Sequence, residues 1–266
     1  MKNEKKRILI LTPRFPYPVI GGDRLRIYQV CKALSTRFSL TLLSLCESKA
    51  ELDMSVPEDG VFDRVERVFL SRHRSYFNAL MALPGRTPMQ VAYYRCGAFA
   101  RTVQRLLPEH DGVLSHLIRC GEYVRRAAKP KILEMTDAIS LNYERVCTLN
   151  ESTGFKGLVY RAEASRLKAY ERKIIDDFNL SVLVSESDKQ FLVGESNNRV
   201  IVCSNGVDLR HLPFLKRIDS RPVIVYIGNM ASVQNMDACL YFAKDVMPQI
   251  VQRLQATFRV VGKISD

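Results

Sequence analysis

Apolar runs of strand length recur along the chain, and most of the stretches between them carry apolar residues at helical spacing. Strands are expected at Ile8–Thr12, Leu40–Leu45, Val65–Leu70, Gly112–His116, Ile132–Met135, Ser181–Ser185 and Val200–Cys203. Ile27, Val30, Cys31 and Leu34 make one helical stripe within a helix from about Leu25 to Leu34. Phe99, Val103, Leu106 and Leu107 repeat it before Pro108. The longest expected helix runs from about Phe155 to Phe178, with Tyr170, Ile174 and Phe178 on one stripe and Gly154 and Gly157 at its entrance. Strands alternating with helices predict an α/β fold in which a parallel sheet is covered on both faces.

The pattern starts twice. Lys6–Thr12 is followed by a Pro-rich loop, Gly21-Gly22 and a helix; Pro222–Ile227 is followed by Gly228, a polar loop, a helix from about Asp237 to Leu254 and a strand Phe258–Val261. Residues His211 to Arg221, with Pro213, charges and no sustained period, read as a connection. The expected organisation is a Rossmann-like domain over 1–212, a linker over 213–221, and over 222–266 the incomplete start of a second Rossmann-like domain.

Length and composition narrow the class only a little. A chain of 266 residues holds one large domain or one and a half ordinary ones. A hydrophobic fraction of 47% against 26% charged supports a buried core, and no apolar run approaches bilayer length. The opening MKNEKKRILIL imitates a secretory signal, but Pro13 and Arg14 break it and no small-residue cleavage site follows. It is read as the first strand of a cytoplasmic protein. The seven cysteines form no Cys-x-x-Cys pair and are expected to be small buried hydrophobes in a reducing compartment. The net charge of +12 changes the picture more, because it favours anionic partners. With no recognisable nucleic-acid module, nucleoside diphosphates and anionic lipid surfaces are preferred over nucleic acid.

Several segments could carry chemistry. In TPRFPYPVIGGDR (Thr12–Arg24), Gly21 and Gly22 let backbone amides approach a ligand, and the following helix offers its positive end to an anion. The loop is too long for a dinucleotide fingerprint and lacks its spacing. In RVIVCSNGVD (Arg199–Asp208), Ser204-Asn205-Gly206 is expected to form a tight turn with left-handed geometry. In ILEMTDAISLNYER (Ile132–Arg145), Glu134 and Asp137 stand near a strand's carboxyl edge, where a carboxylate orients a sugar hydroxyl or caps the next helix at Ala138. His116 ends a strand at a comparable edge and suits a general-base or acceptor-positioning role, against the ordinary reading of a structural histidine. His73, His110 and His211 lie in polar or loop contexts. Arg72–Tyr94 places Phe77, Leu80 and Met81 on one helical face beside Arg72, His73 and Arg74. Such a segment can lie in the headgroup layer of an anionic membrane; a lid or core helix of the same domain is the expectation carried forward. No Asp-x-Asp, Walker loop or Gly-x-Ser-x-Gly occurs.

Taken together, four stretches resemble the group 1 (retaining) glycosyltransferases of GT-B fold, and among them the sugar transferases of exopolysaccharide systems. RILILTPRFPYPVIGGDRLRIYQVCKAL is similar to their first strand, Gly-Gly loop and helix. YRAEASRLKAYERKIIDDFNLSVLVSESDKQFL is similar to their long helix and Ser-x-x-Asp segment. VIVCSNGVDLRHL resembles their Ile-Pro-Asn-Gly-Val-Asp signature, with Cys203-Ser204 in place of Ile-Pro. VIVYIGNMASVQNMDACLYFAKDVMPQI resembles the opening of their second domain. The resemblance implies a metal-independent, retaining transfer from a nucleotide-diphosphate sugar to a glycan or lipid-linked acceptor, without a cofactor. It places His116 and Asp137 at the cleft. Gly21, Gly22, Asp23 and Arg24 would lie against the donor diphosphate or acceptor, together with Asn205 and Gly206, and Gly228 and Asn229 would approach the phosphates from the other side. The family holds its donor with two glutamates seven residues apart, and no glutamate follows Arg221 here. The chain is therefore expected to be a shortened form with impaired transfer. The alternative is a non-catalytic binding or scaffolding subunit; a nucleotide-sugar oxidoreductase is disfavoured by the missing dinucleotide fingerprint.

Overall fold

The structure, a computed structural model, describes residues 5–149, 155–209, 212–214, 216 and 222–263. Gly154 and most of the expected linker lie outside the described residues. The chain separates into two compact units, 1–205 and 206–266.

The first unit is built on seven parallel strands: β1 Arg7–Thr12, β2 Ser39–Cys46, β3 Arg64–Phe69, β4 Gly112–His116, β5 Lys131–Thr136, β6 Leu180–Leu183 and β7 Val200–Val202, ordered β3-β2-β1-β4-β5-β6-β7. Ile8 pairs with Leu40 on one side and Gly112 on the other, and His116 pairs with Glu134. The order reverses between β1 and β4, the point at which an open parallel sheet leaves a crevice at its carboxyl edge. This is the Rossmann-like α/β arrangement expected from the alternating pattern.

Period two in the strands sorts the core onto two faces. Leu9, Leu11, Leu43 and Leu45 join one cluster, whereas Ile10, Leu40 and Leu42 join the other. The second cluster is closed by Ile27 and Cys31 of α1 (Gly22–Ser35) and by Phe15 and Tyr17 of the Pro-rich loop. The first is closed by Phe99 and Val103 of α5 (Gly97–Leu106) and by Leu167 and Ile174 of α8 (Phe155–Asp176). Each fully buried leucine contributes about 1.5–3 kcal/mol relative to exposure. Short helices α2 (Lys49–Asp53), α4 (Met89–Tyr93) and α6 (Leu117–Gly121), together with α7 (Ile139–Leu149) and α9 (Glu186–Val193), complete the layers. Ser185 caps α9 by accepting from the Asp188 amide at 3.1 Å.

α3 (Arg72–Met81) overturns the expectation of a core helix. Ser75 and Ala82 are buried, while Tyr76, Phe77, Leu80 and Met81 are 61–67% exposed. Small residues face the domain and large apolar ones face outward. Two lesser expectations also change. His110 is buried, its Nδ1 2.7 Å from the Leu106 carbonyl. Cysteines 31, 46, 120 and 239 are buried, but Cys203 is exposed; all seven are free.

The second unit contains β8 (Val223–Ile227) and β9 (Thr257–Val261), parallel and paired with each other, with α10 (Val233–Tyr241), a π-helical turn Phe242–Val246 and α11 (Met247–Val251) between them. The single helix expected from Asp237 to Leu254 is therefore interrupted. Pro248 has no N–H for the Lys244 carbonyl, and the turn before it widens.

Candidate functional site

At the carboxyl edge of the first unit a charged cluster is buried beside the switch in strand order. Glu134, on β5, is its centre. Its Oε1 accepts from Arg26 Nε of α1 at 2.6 Å, its Oε2 lies 2.5 Å from His116 Nδ1 at the end of β4, and both Thr136 N and Thr136 Oγ1 donate to it at 3.1 Å. Glu134 and His116 are each 2% exposed. Burial pushes the Glu134 pKa up, but hydrogen bonds and charge from His116 and then Arg26 outweigh it and hold the carboxyl below its usual range. Arg26 also donates through Nη1 to Asn205 Oδ1 at 2.9 Å and through Nη2 to the Cys203 carbonyl at 3.0 Å, which ties the segment after β7 to α1.

An ionised Glu134 has no hydrogen to give, so His116 Nδ1 carries one and donates it. The other ring nitrogen, Nε2, is buried without a partner, an acceptor in the neutral ring and a donor in the protonated one. Thr12 Oγ1 at the end of β1, Ser115 Oγ on β4 and Arg119 Nε on α6 are buried without partners as well. Leu11 pairs with Ser115, so Thr12 and His116 follow in adjacent strands at the switch. Unsatisfied buried polar atoms are costly; Ser75 Oγ, His110 Nε2 and Ser181 Oγ lack partners elsewhere in the fold, but Thr12 and His116 stand together at the crevice, where a polar ligand could complete the network. The backbone is strained at the same place: Leu117 has φ 62° and Thr136 φ 66°, directly after His116 and one residue beyond Met135. Left-handed geometry in a leucine and a β-branched threonine costs on the order of 1–3 kcal/mol each.

The other anticipated residues are distributed unevenly. Asn205 belongs to the cluster through Arg26, but neither Asn205 nor Gly206 takes a positive φ, and 203–208 runs without a turn. The left-handed turn expected there does not form, because Arg26 holds Asn205 and the Cys203 carbonyl from the side. Gly21 does need its glycine, with φ 97° at the entrance to α1, where its carbonyl accepts from the Leu25 amide at 2.9 Å. Gly22 opens α1, and both glycines are exposed. Asp23 and Arg24 leave the cluster for the rim: Arg14 stands 3.5 Å from Asp23, and Arg24 donates to Glu51 at 2.7 Å beside a cleft of about 180 Å³ lined also by Arg14, Glu47, Ser48 and Arg72.

Asp137 does not cap α7. Asp188 takes the Ala138 amide at 3.1 Å, and Glu171 takes Ile139 N at 2.8 Å and Ser140 N at 3.2 Å. Asp137 instead accepts from Asn142 Nδ2 at 2.6 Å; burial raises its pKa, with the Asn142 bond opposing in part. Burial likewise pushes Glu171 up, to about 7. In the second unit, Asn229 closes its own loop, its Oδ1 accepting from Ala231 N at 3.1 Å, and Gly228 N donates to the Val261 carbonyl at 3.0 Å. Among the described residues no cluster of three His, Cys, Asp or Glu side chains is arranged to hold a metal.

Arg26 and Arg119 were not anticipated. Arg26 had a signal, since it sits beside Ile27 on the stripe that faces the sheet, where a charge needs a buried partner. Arg119 had none, because its surroundings (the Tyr94 ring 5.1 Å from its guanidinium and Gln90 Oε1 at 2.9 Å) come from distant sequence.

No protein-family model and no curated protein matches the chain. Solved structures do. TarM aligns with a TM-score of 0.56 at 10% identity, over 98% of this chain and 72% of that one. An α,α-trehalose-phosphate synthase (UDP-forming) from Burkholderia vietnamiensis aligns at 0.52 and 12% identity, over 98% and 66%. A protein from E. coli, described as trehalose-6-phosphate bound with UDP-2-fluoro glucose, aligns at 0.52 and 12%, over 97% and 65%. At such identities the likeness establishes the fold: the α/β, Rossmann-like architecture of glycosyltransferases of GT-B type.

Proposed function

We propose that the protein is a glycosyltransferase that moves a sugar from a nucleotide-diphosphate sugar to a glycan or lipid-linked acceptor in polysaccharide biosynthesis, at the cytoplasmic face of a membrane. The observation that carries the reading is the buried His116–Glu134–Arg26 relay, whose unpartnered ring nitrogen, His116 Nε2, lies at the switch point of a sheet shared with sugar-nucleotide enzymes. Glu134 fixes the ring tautomer and Arg26 keeps Glu134 charged. His116 Nε2 is assigned to a sugar hydroxyl, and Asp137, with its raised pKa, to a second one. The exposed amides of Gly21 and Gly22, at the positive end of α1, are assigned to an anionic group of the donor or acceptor, with Asp23 and Arg24 at the rim. Asn205 is assigned to the same cleft of the first unit, and Gly206, Gly228 and Asn229 of the second unit are assigned to donor contact.

In the proposed reaction an acceptor hydroxyl attacks the anomeric carbon, and the bond from that carbon to the diphosphate oxygen breaks. The diphosphate leaves with the electron pair and takes up the hydroxyl proton on the same face, so that configuration is retained and no metal is needed. Cations and backbone amides, rather than a metal, stabilise the leaving charge.

The test is a transfer assay that follows nucleoside-diphosphate release and the anomeric configuration of the product, with chelator present. His116→Ala, which removes the hydrogen bond to the sugar hydroxyl, should lower kcat/KM by roughly 10–10²-fold. Glu134→Gln should lower it about 10²-fold, because an amide N–H facing Nδ1 forces the ring hydrogen onto Nε2 and removes the acceptor. Transfer that is indifferent to both substitutions would overturn the assignment. Acceptor binding without release of diphosphate from any nucleotide sugar would favour the binding or scaffolding subunit instead.

A further inference from the structure

We infer that the outward face of α3 is a docking surface for an anionic phospholipid membrane. The helix is turned inside out relative to a normal surface helix. Its domain side is Ser75, Asn78, Ala79 and Ala82, with Asn78 Nδ2 donating to the Arg95 carbonyl at 3.1 Å, and its open side is Tyr76, Phe77, Leu80 and Met81. These large residues form a contiguous stripe, and Leu83 prolongs it past the helix end at 39% exposure. A contiguous apolar patch on a folded surface marks something that covers it.

Charge identifies the cover. Between Glu66 and Glu109 the chain contains no aspartate or glutamate, but it contains seven arginines. Arg72 and His73 stand one helical turn before Tyr76 and Phe77 on the same stripe. Arg74, Arg86 and Arg95 in the same segment are exposed as well. The nearest acid, Glu47, stands 3.9 Å from Arg72, which remains 65% exposed. Bulky apolar residues beside exposed arginines suit the boundary of headgroups and acyl chains, where the rings enter the apolar layer and guanidinium groups meet lipid phosphates. Among the described residues no helix is long and apolar enough to cross a membrane, so this face would rest on the surface. α3 begins just beyond the carboxyl end of β3, so lipid would meet the same edge of the sheet that carries His116 and Glu134. The docking is independent of sugar transfer and stands or falls alone.

The test uses the full chain and phosphatidylcholine vesicles with or without phosphatidylglycerol. The protein should sediment with the mixed vesicles, weakly or not at all with the pure ones, and less as salt rises. Phe77→Ser with Leu80→Ser should weaken partition about tenfold or more. Arg72→Gln with Arg74→Gln should weaken it about thirtyfold. The chain has no tryptophan, so Phe77→Trp supplies a single reporter. Its emission should shift to the blue on mixed vesicles and be quenched by brominated lipid, which reads insertion without relying on a weakened variant. Equal binding to both vesicle types, partition unchanged by either pair of substitutions, or a dimer in solution that is lost on Phe77→Ser would each overturn the proposal.

Discussion

β1 and β8 begin the same local unit, an apolar strand followed by a loop with glycine and then a helix, yet they end in different physical states. Four residues of β1, from Leu9 to Thr12, are buried, whereas no residue of β8 is. Among the described residues of the second unit only Met230 and Cys239 are buried. The strands differ in their neighbours. β1 has a hydrogen-bonded partner on each side and a core on each face; β8 has β9 alone, and Val225, Ile227, Val260 and Val261 remain exposed. Apolar patterning is enough to form a strand. Burial requires other elements to supply surface.

The sharpest way to break this comparison is at Gly262. Its φ is 148°, and a Cβ there would stand 1.8 Å from the Gly228 carbonyl oxygen. The second unit thus depends on close backbone approach more than on side-chain packing. Gly262→Ala should destabilise β8–β9 pairing by about 4 kcal/mol or more. Hydrogen exchange should show protection lost over 223–227 and 257–261 and kept in β1 and β2; unchanged protection in β8 would refute the contrast.

Next come matched truncations. Ile10→Ala removes a fully buried side chain between two packed faces and should cost about 3 kcal/mol in denaturant unfolding. Ile227→Ala, at a residue 78% exposed, should change stability by less than about 0.5 kcal/mol. Equal costs would mean that the second unit has a covered core after all.

A pH test probes the polar interior of the first unit. Glu171 has its pKa raised by burial to about 7, so between its unfolded value of 4.5 and 7 the native state keeps a proton that the unfolded chain has released. Its contribution is full below 4.5 and should be lost as pH rises to about 7, by roughly 3 kcal/mol. Glu171→Gln should flatten that slope, and a slope that survives the substitution would assign it to another group. A smaller effect than that of Glu171 is Ser185→Ala, which removes the α9 cap and should cost about 1 kcal/mol, read as a shift in the unfolding midpoint.

Much of this fold was legible residue by residue. Gly112–His116 is a strand with the expected bounds, and Arg7–Thr12 and Lys131–Thr136 differ from expectation by a residue at one or both ends. Four helices were not anticipated (α2, α4, α6 and α9), all of them too short to show a sustained period. For α3 the core-helix alternative failed and the others stayed open, because periodicity reports which residues share a face without saying which way that face points. The site was legible in part. His116, Glu134 and Asn205 were singled out separately, from ends of strands far apart in sequence. Arg26, which joins Glu134 to Asn205, became visible only when α1 lay across the edge of the sheet.

By itself the sequence determined the strands and the longer helices, where the strand-loop-helix unit restarts, and the net charge of +12. Those properties follow from the spacing and type of neighbouring residues. Only the tertiary structure decided that Glu134 is ionised between Arg26 and His116, that Glu171 rather than Asp137 caps α7, and that α3 turns its apolar stripe outward. Each of these depends on distance and desolvation among residues brought together by the strand order, and local sequence does not encode either quantity.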